Sequence, residues 1–381
     1  MTRRMIPYQF IQQDSQLKQL CEQARYYSVV ALDTEFERIR SYYAKLGLIQ
    51  LYFGKDVALI DPLNITDWQP FVELLSDKNV LKILHASGED IEIFHQQFQQ
   101  IPMPMLDTQI MANFLGFQQS VGFALLVQHY LQIELDKKAS RTDWLKRPLS
   151  ERQLNYAAAD VYYLLPIYQK MAIAMESSEW KNAIQQECEL FVQKRCRQIS
   201  PEKAYLDIGN AWRLTRAELN NLKFLAKWRF QEGVKRNIAL NFIVSSEGLI
   251  QVAIHAPVYT SQLVELGLHP KEIKRYGKKL LLLLEQAKRV PEEQYPELIE
   301  NISERPHYKK YLNLLHKELK VMVQNKVPLQ VVASKKSLHQ FLKWYWMGQS
   351  QQKLPDLLCG WRAIYGKKLL HSLKTAVENE N

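Results

Sequence analysis

Along the first two hundred residues, short apolar runs alternate with segments whose apolar positions recur every three or four residues. Val29-Val-Ala-Leu32 has the pattern of a buried strand and ends in Asp33-Thr-Glu35. Leu46–Phe53 and Val57–Ile60 read as further strands. The Gly54-Lys-Asp56 between them has turn chemistry, so the pair is expected to form an antiparallel hairpin or meander. A helix is expected around Trp68–Leu75, a strand at Val80–Leu84, a helix from about Gly88 to Phe98, and helical segments from Asp107 to about Arg197. This alternation predicts a mixed α/β layer fold. Beyond Ser200-Pro201 the rhythm is helical alone, as in Leu219, Leu222, Leu225 and Phe230, with breaks at Gly248, Pro257 and Pro270. The Pro- and Glu-rich stretch from Val290 to His307 is the best linker candidate. The expected organisation is an α/β domain over 1–200 and two all-α domains over about 205–290 and 300–375.

A length of 381 residues fits two or three domains, and 47% hydrophobic residues suffice for packed cores. The longest aliphatic run, Leu280–Leu284, is far shorter than the roughly 18 apolar residues of a spanning helix. Met1-Thr-Arg-Arg has no apolar run behind it, so no membrane segment is expected and the cytoplasm is the default location. Cys21, Cys188, Cys196 and Cys359 lack zinc spacing and read as ordinary thiols of a reducing compartment. The formal charge of +10 is uneven: residues 1–200 hold 21 Lys+Arg against 23 Asp+Glu, and residues 201–381 hold 29 against 17. Such asymmetry suits one part that collects a polyanion and another that acts on it, although a generally basic surface accounts for the charge equally well.

Candidate chemistry begins with Asp33 and Glu35, which period-two alternation puts on one face of a strand end, where two carboxylates can share a divalent ion. Acid pairs of this spacing also arise by chance on surface strands. Asp90, in Leu84-His-Ala-Ser-Gly-Glu-Asp90, opens a helix after a strand, where the helix dipole alone favours an acid. Tyr156 and Asp160 lie four apart in Asn155-Tyr-Ala-Ala-Ala-Asp160 and project from one side of a helix, about 5–6 Å apart at Cβ. Singly, each has an ordinary structural explanation.

Together, in order and wording, these segments resemble the three exonuclease motifs of the DEDD superfamily, with the closest likeness to the bacterial ribonuclease D family. The likeness extends through Tyr42-Tyr-Ala-Lys-Leu-Gly-Leu-Ile-Gln-Leu51, Leu106–Asn113, Lys137–Trp144 and Pro148–Gln153. Tyr156 matches the tyrosine subclass, and Asn155 stands where the histidine subclass would need its imidazole. The resemblance implies a ribonuclease H-like α/β exonuclease domain, a mixed sheet flanked by helices, that trims RNA hydrolytically from a free 3′ end and releases nucleoside 5′-monophosphates. It also implies two divalent ions, Mg²⁺ first and Mn²⁺ second, and oxygen ligands suit such hard cations. By the resemblance Asp33 bridges both ions, Glu35 and Asp160 hold the ion on the nucleophile side, and Asp90 helps hold the other. Tyr156, with an ordinary pKa near 10, suits orienting the attacking water better than deprotonating it. His85 and Asp107 read as structural groups, Asp107 as a helix N-cap. Lys137 and Arg141, within a family-like loop, are candidates for backbone phosphates.

In the basic half, Trp228-Arg229 in a Leu-rich helix, Leu263–Leu268 and the run after Pro270 resemble an HRDC domain. Lys271, Lys274, Arg275, Lys278 and Lys279 fall at i, i+3, i+4, i+7 and i+8, one helix face suited to a nucleic-acid backbone. Ala333–Lys336, Leu342–Trp346 and Pro355–Arg362 resemble a second such domain, in which Trp344 and Trp346 read as core before they read as a stacking platform. Lys235–Phe242 departs from the Asp-x-Pro wording associated with the first domain's turn, which bears on its local surface. The absence of GxxxxGK[ST] excludes a helicase. A DNA 3′→5′ exonuclease and a non-catalytic RNA-binding protein are the rival readings. The presence of all four carboxylates opposes the second, and the HRDC-like tail favours RNA over DNA. The expected partner is RNA with a free 3′ end, transfer RNA precursors foremost, bound by a monomer.

Overall fold

The structure is a computed structural model that describes residues 6–135, 142–176, 178–324 and 327–379. The elements of its α/β part, in chain order, are β1 (Tyr8–Ile11), α1 (Asp14–Ala24), β2 (Val29–Glu37), β3 (Lys45–Tyr52), β4 (Val57–Ile60), α2 (Gln69–Ser76), β5 (Leu81–Leu84), α3 (Gly88–Phe98), β6 (Met105–Asp107), α4 (Thr108–Phe114), α5 (Phe123–Leu131), α6 (Glu151–Tyr162), α7 (Leu164–Glu176) and α8 (Lys181–Arg195). The helical remainder comprises α9 (Arg216–Arg236), α10 (Ser246–His255), α11 (Gln262–Glu265), α12 (Pro270–Lys288), α13 (Tyr308–Val323), α14 (Leu329–Val332), α15 (Lys335–Trp346) and α16 (Ala363–Glu378). These residues form two compact units, the first within Met1–Glu37, Leu46–Cys196 and Pro306–Asn381, the second within Arg38–Lys45 and Arg197–Arg305.

In the first unit a mixed sheet has the order β1-β4-β3-β2-β5-β6. β1 pairs parallel with β4, and β5 parallel with both β2 and β6. The expected hairpin is present: β3 and β4 are antiparallel with Gln50 opposite Leu59, and Gly54 turns the chain at φ 101°, a conformation that favours glycine. The strands β1 and β6 and the helix α1 were not anticipated from the sequence. β1 is interrupted by Gln9 and β6 is only three residues ending in Asp107, so neither shows the continuous apolar run that marks Val57–Ile60. One expectation is corrected. The chain is not continuously helical from Asp107 to Arg197, because Gln132 ends α5 in the left-handed region (φ 58°) and no helix resumes among the described residues before Glu151.

Ala31, Leu48, Tyr52, Val57, Leu59 and Ile83 cover one face of the sheet and pack against Trp144, Ala157, Ala158, Val161 and Leu164. The two alanines remove bulk from the face of α6, so that helix lies close upon β2 and β4. The C-terminal helices pack in this same unit. Arg362 Nη2 donates to Glu187 Oε2 (2.8 Å), and Arg362 also reaches the carbonyls of Val331 and Val332 (2.6 and 2.8 Å). Trp361 Nε1 donates to Glu187 (2.7 Å), and its ring meets Phe114 and Trp180.

In the second unit α9 starts on a Thr215/Glu218 capping box, and its apolar face meets α10 and α12 through Leu219, Leu222, Leu225, Val252, Leu280 and Leu284. The departing turn Lys235–Phe242 holds the Arg38–Lys45 segment: Tyr43 N donates to Asn237 Oδ1 (2.7 Å) and Ala239 N to the Arg40 carbonyl (2.8 Å). Among the described residues no helix is long and apolar enough to cross a membrane.

Candidate active site

Alternation along β2 extends the face of Val29 and Ala31, which meets α6, to Asp33 and Glu35. α6 begins on a capping box, with Gln153 N donating to Ser150 Oγ and Gln153 Oε1 accepting from Ser150 N (3.0 Å). That start fixes the helical phase that turns Tyr156 and Asp160 toward β2. Ligand oxygens of Asp33, Glu35 and Asp160 come within 4.8 Å of one another. Asp33, Asp160 and Tyr156 line a cavity of about 180 Å³ together with His85, Phe123 and Leu164.

Asp90 is brought close but stands outside that trio. Its buried carboxylate accepts a hydrogen bond from Thr34 Oγ1, the hydroxyl between the two acids of β2. The turn into α3 is built on Asp107, whose carboxylate accepts from Ala86 N (3.0 Å), Ser87 N (2.9 Å) and Ser87 Oγ (2.8 Å) while it caps α4 through Gln109 N (2.8 Å). Ala86 is held at φ 55°, so Asp107 restrains the turn that aims Asp90.

Burial and mutual repulsion dominate the electrostatics. Asp33 is raised well above the ordinary carboxylate range by burial and then by the charges of Asp90, Asp160 and Glu35. Burial, then Asp160 and Asp90, push Glu35 up to about 9. Burial raises Asp160 to about 8 against the hydrogen bond from Tyr156, and Asp90 to about 6 against the bond from Thr34. Burial and the three neighbouring carboxylates raise the Tyr156 phenol above its ordinary value, so it keeps its proton. Several oxygens converging under mutual repulsion fit a hard divalent cation, whose charge would remove the penalty.

His85 Nδ1 lies 2.9 Å from Thr108 Oγ1, which donates to the Leu84 carbonyl, and burial lowers the imidazole pKa. Lys137 and Arg141 lie outside the described residues. Lys271, Lys274, Arg275, Lys278 and Lys279 are all exposed on α12, opposite buried Tyr276, Leu280, Leu283 and Leu284. The surplus basicity sits mostly further on: residues 201–300 hold 15 Lys+Arg against 12 Asp+Glu, and residues 301–381 hold 14 against 5. Trp344 and Trp346 are half-buried; Trp344 Nε1 donates to the Ser350 carbonyl (2.9 Å) and Trp346 packs near Tyr308 and Tyr311.

Sequence reasoning missed Thr34, Phe123 and Leu164 at the site, and the support beneath it. Arg147 reaches Asp61 with Nε (2.8 Å) and Nη2 (2.7 Å) and spans to the carbonyls of Gly47 (2.7 Å) and Trp144 (2.9 Å). The buried Trp144 ring lies 6.2 Å from Tyr156. Thr34 carried a legible signal, being the polar residue between two candidate ligands. Arg147 and Asp61, 86 positions apart, carried none.

Carboxylates converging on a mixed sheet, ahead of two small helical domains, define a 3′→5′ exonuclease joined to HRDC modules. Residues 8–176 match the 3′-5′ exonuclease family, residues 218–284 the HRDC domain, and residues 306–377 the C-terminal HRDC domain of ribonuclease D. Ribonuclease D of Haemophilus influenzae is 47% identical over 96% of this chain and 93% of its own length. Ribonuclease D of Escherichia coli K12 is 44% identical over 96% and 98%. The crystal structure of Escherichia coli RNase D, an exoribonuclease involved in structured RNA processing, superposes with a TM-score of 0.94 at 43% identity, covering 97% of this chain and 99% of that one. The chain belongs to the ribonuclease D family of 3′→5′ exoribonucleases. The family implies divalent metal ions, and the Asp33, Glu35 and Asp160 cluster offers an acidic site for them.

Proposed function

We propose that this chain trims RNA from the 3′ end by metal-dependent hydrolysis, releasing nucleoside 5′-monophosphates, and acts as a cytoplasmic monomer on precursors of transfer RNA. The observation that carries this reading is the convergence of Asp33, Glu35 and Asp160 within 4.8 Å, in surroundings that raise all three carboxyl pKa values. Asp33, Glu35 and Asp160 would hold a first ion, and Asp33 with Asp90 a second. Two such ions, Mg²⁺ foremost, supply Lewis acidity toward a water and toward the leaving 3′ oxygen.

The chain's own groups supply position. Thr34 fixes the Asp90 carboxylate. Tyr156 donates to Asp160 and retains its proton, so its hydroxyl orients a water instead of taking a proton from it. Phe123 and Leu164 give the cavity an apolar wall against which a terminal nucleoside can rest. The involvement of the Escherichia coli relative in structured RNA processing supports an RNA substrate for this chain as well.

The test compares a 3′-extended transfer RNA precursor with single-stranded DNA, with Mg²⁺ or with EDTA. Mg²⁺-dependent shortening of the RNA is expected, and Asp33→Asn should abolish turnover while leaving RNA binding largely intact. Preference for DNA would overturn the substrate, and turnover by Asp33→Asn would overturn the site.

A further inference from the structure

The second unit contains a groove of about 390 Å³ that the hydrolytic chemistry does not use. It runs between α9 and α12 and is bounded by Glu202, of the 3₁₀ turn Pro201–Asp207, and by Gln294. Phe224, Trp228 and Leu283 make its apolar floor. Trp228 is fixed there, with its ring centroid 5.3 Å from that of Tyr276, and Phe224 is half-buried against the core. Lys223, Lys227 and Lys279 stand along the groove, and Lys227 pairs with Glu202. Among the described residues no acidic side chain pairs with Lys223 or Lys279. Lys279 continues the exposed face of Lys271, Lys274, Arg275 and Lys278, so the groove opens beside a cationic stripe. The side-chain amides of Gln231 and Gln286 also border it, offering donors and acceptors.

We propose that this groove seats one nucleotide of single-stranded RNA, with its base on Phe224, Trp228 and Leu283 and its flanking phosphates at Lys223 and Lys279. The inference rests on the RNA-directed reading above and adds a binding subsite within the helical unit. The volume is in the range that small-molecule sites use. An apolar floor with amide edges and two unpaired cations complements a ligand that is aromatic at one end and anionic at the other. Base stacking on aromatic side chains tolerates any sequence, which suits a trimming enzyme that must accept successive nucleotides.

The test uses the full chain carrying Asp33→Asn, which keeps the RNA intact, titrated with fluorescein-labelled oligouridine over a series of KCl concentrations. Lys223→Gln combined with Lys279→Gln should lower the slope of log K against log[KCl] by about 1.4, from about 0.7 for each lost phosphate contact on a single strand. Phe224→Leu keeps an apolar residue in the core and removes the stacking face. It should weaken binding roughly ten-fold without changing the slope. Oligouridine containing 4-thiouridine should crosslink within the Phe224–Gln231 peptide. An unchanged slope in the double glutamine variant, or crosslinks confined to other peptides, overturns the proposal. If the chain with Asp33 intact hydrolyses RNA while the slope is unchanged, the groove assignment alone fails; if it hydrolyses none, the enzymatic reading fails.

Discussion

Replacing Arg147 with methionine should destabilise the sheet-containing unit and slow the enzyme through Tyr156. The Asp61 side chain is fully buried (0% exposed) and Arg147 is 22% exposed. Burial pushes the Asp61 carboxyl up, but the Arg147 hydrogen bonds, the Leu63 N–H and the Arg147 charge outweigh it and hold the group below the usual carboxylate range. Asp61 is thus a buried anion, and without Arg147 it retains the Leu63 N–H bond at 3.1 Å and a weaker hydrogen bond from the Gln12 side chain. Orphaning a buried charge costs about 3–5 kcal/mol, and the partial exposure of Arg147 points to the lower end. With a urea dependence of about 2–3 kcal/mol per molar for a unit of this size, the midpoint should fall by about 1 M. The sign with pH follows from the depressed pKa: the stabilisation is present above the ordinary carboxylate range and lost as pH falls below it through the depressed value, so the deficit of the variant should shrink in acid. Adding Asp61→Asn should restore most of the stability, because the orphaned charge is gone. Turnover should stay low, because Arg147 also bonds the Trp144 carbonyl, and the Trp144 ring lies 6.2 Å from Tyr156. Far-UV circular dichroism in urea and steady-state kinetics on RNA check the two claims. A midpoint unmoved at neutral pH, or full recovery of kcat in the double variant, would refute the reasoning.

Other consequences are open to direct measurement. The carboxyls of Glu35 (about 9), Asp160 (about 8) and Asp90 (about 6) bind more protons folded than unfolded, so the metal-free chain should lose stability as pH rises from about 5.5 to 8. Thermal unfolding in EDTA checks this, Mg²⁺ should flatten the trend, and a higher Tm at pH 8 without metal would contradict it. Metal binding should release protons, visible as acidification in weakly buffered solution near pH 7.5. Tyr156→Phe should lower kcat about 10–100-fold while Mn²⁺ affinity stays near the original value, since in the proposed mechanism the phenol orients a water and the carboxylates remain; an equal loss of metal affinity would show that Tyr156 helps to hold the ion. Arg362→Ala should expose the α15–α16 region to limited proteolysis, because the mostly buried Glu187 (17% exposed) loses its bidentate partner.

Much of this molecule was legible in its sequence because the signals were local. Val29–Leu32 and Val57–Ile60 are apolar runs of strand length, Gly54 marks the turn between Leu46–Phe53 and Val57–Ile60, and the helix expected from Gly88 to Phe98 is α3 to the residue. The spacing of Tyr156 and Asp160 was legible for the same reason, since four residues on a helix share a face whatever surrounds them. The five cations of α12 obeyed that rule too, and the structure leaves all of them exposed opposite the buried side of the helix.

What escaped was set by contacts between distant segments. A strand ending in Asp-Thr-Glu shows that two acids share a face, but not that Thr34, on the other face, restrains an aspartate 56 positions away. Asp107 was legible as an N-cap, and the same carboxylate also holds the Ala86–Ser87 turn, which no local pattern reveals. The roles of the four carboxylates therefore depend on residues that are not carboxylates. Ala157 and Ala158 let α6 approach, Asp107 turns α3, Thr34 fixes Asp90, and Arg147 holds the Trp144 segment beneath Tyr156. Each keeps like charges close in a buried site that raises their pKa values, an arrangement that stability alone would not favour and that a bound cation would relieve. The cost of holding the acids together without metal is accordingly the physical property that separates this site from a chance cluster of surface carboxylates, whose pKa values would stay near 4.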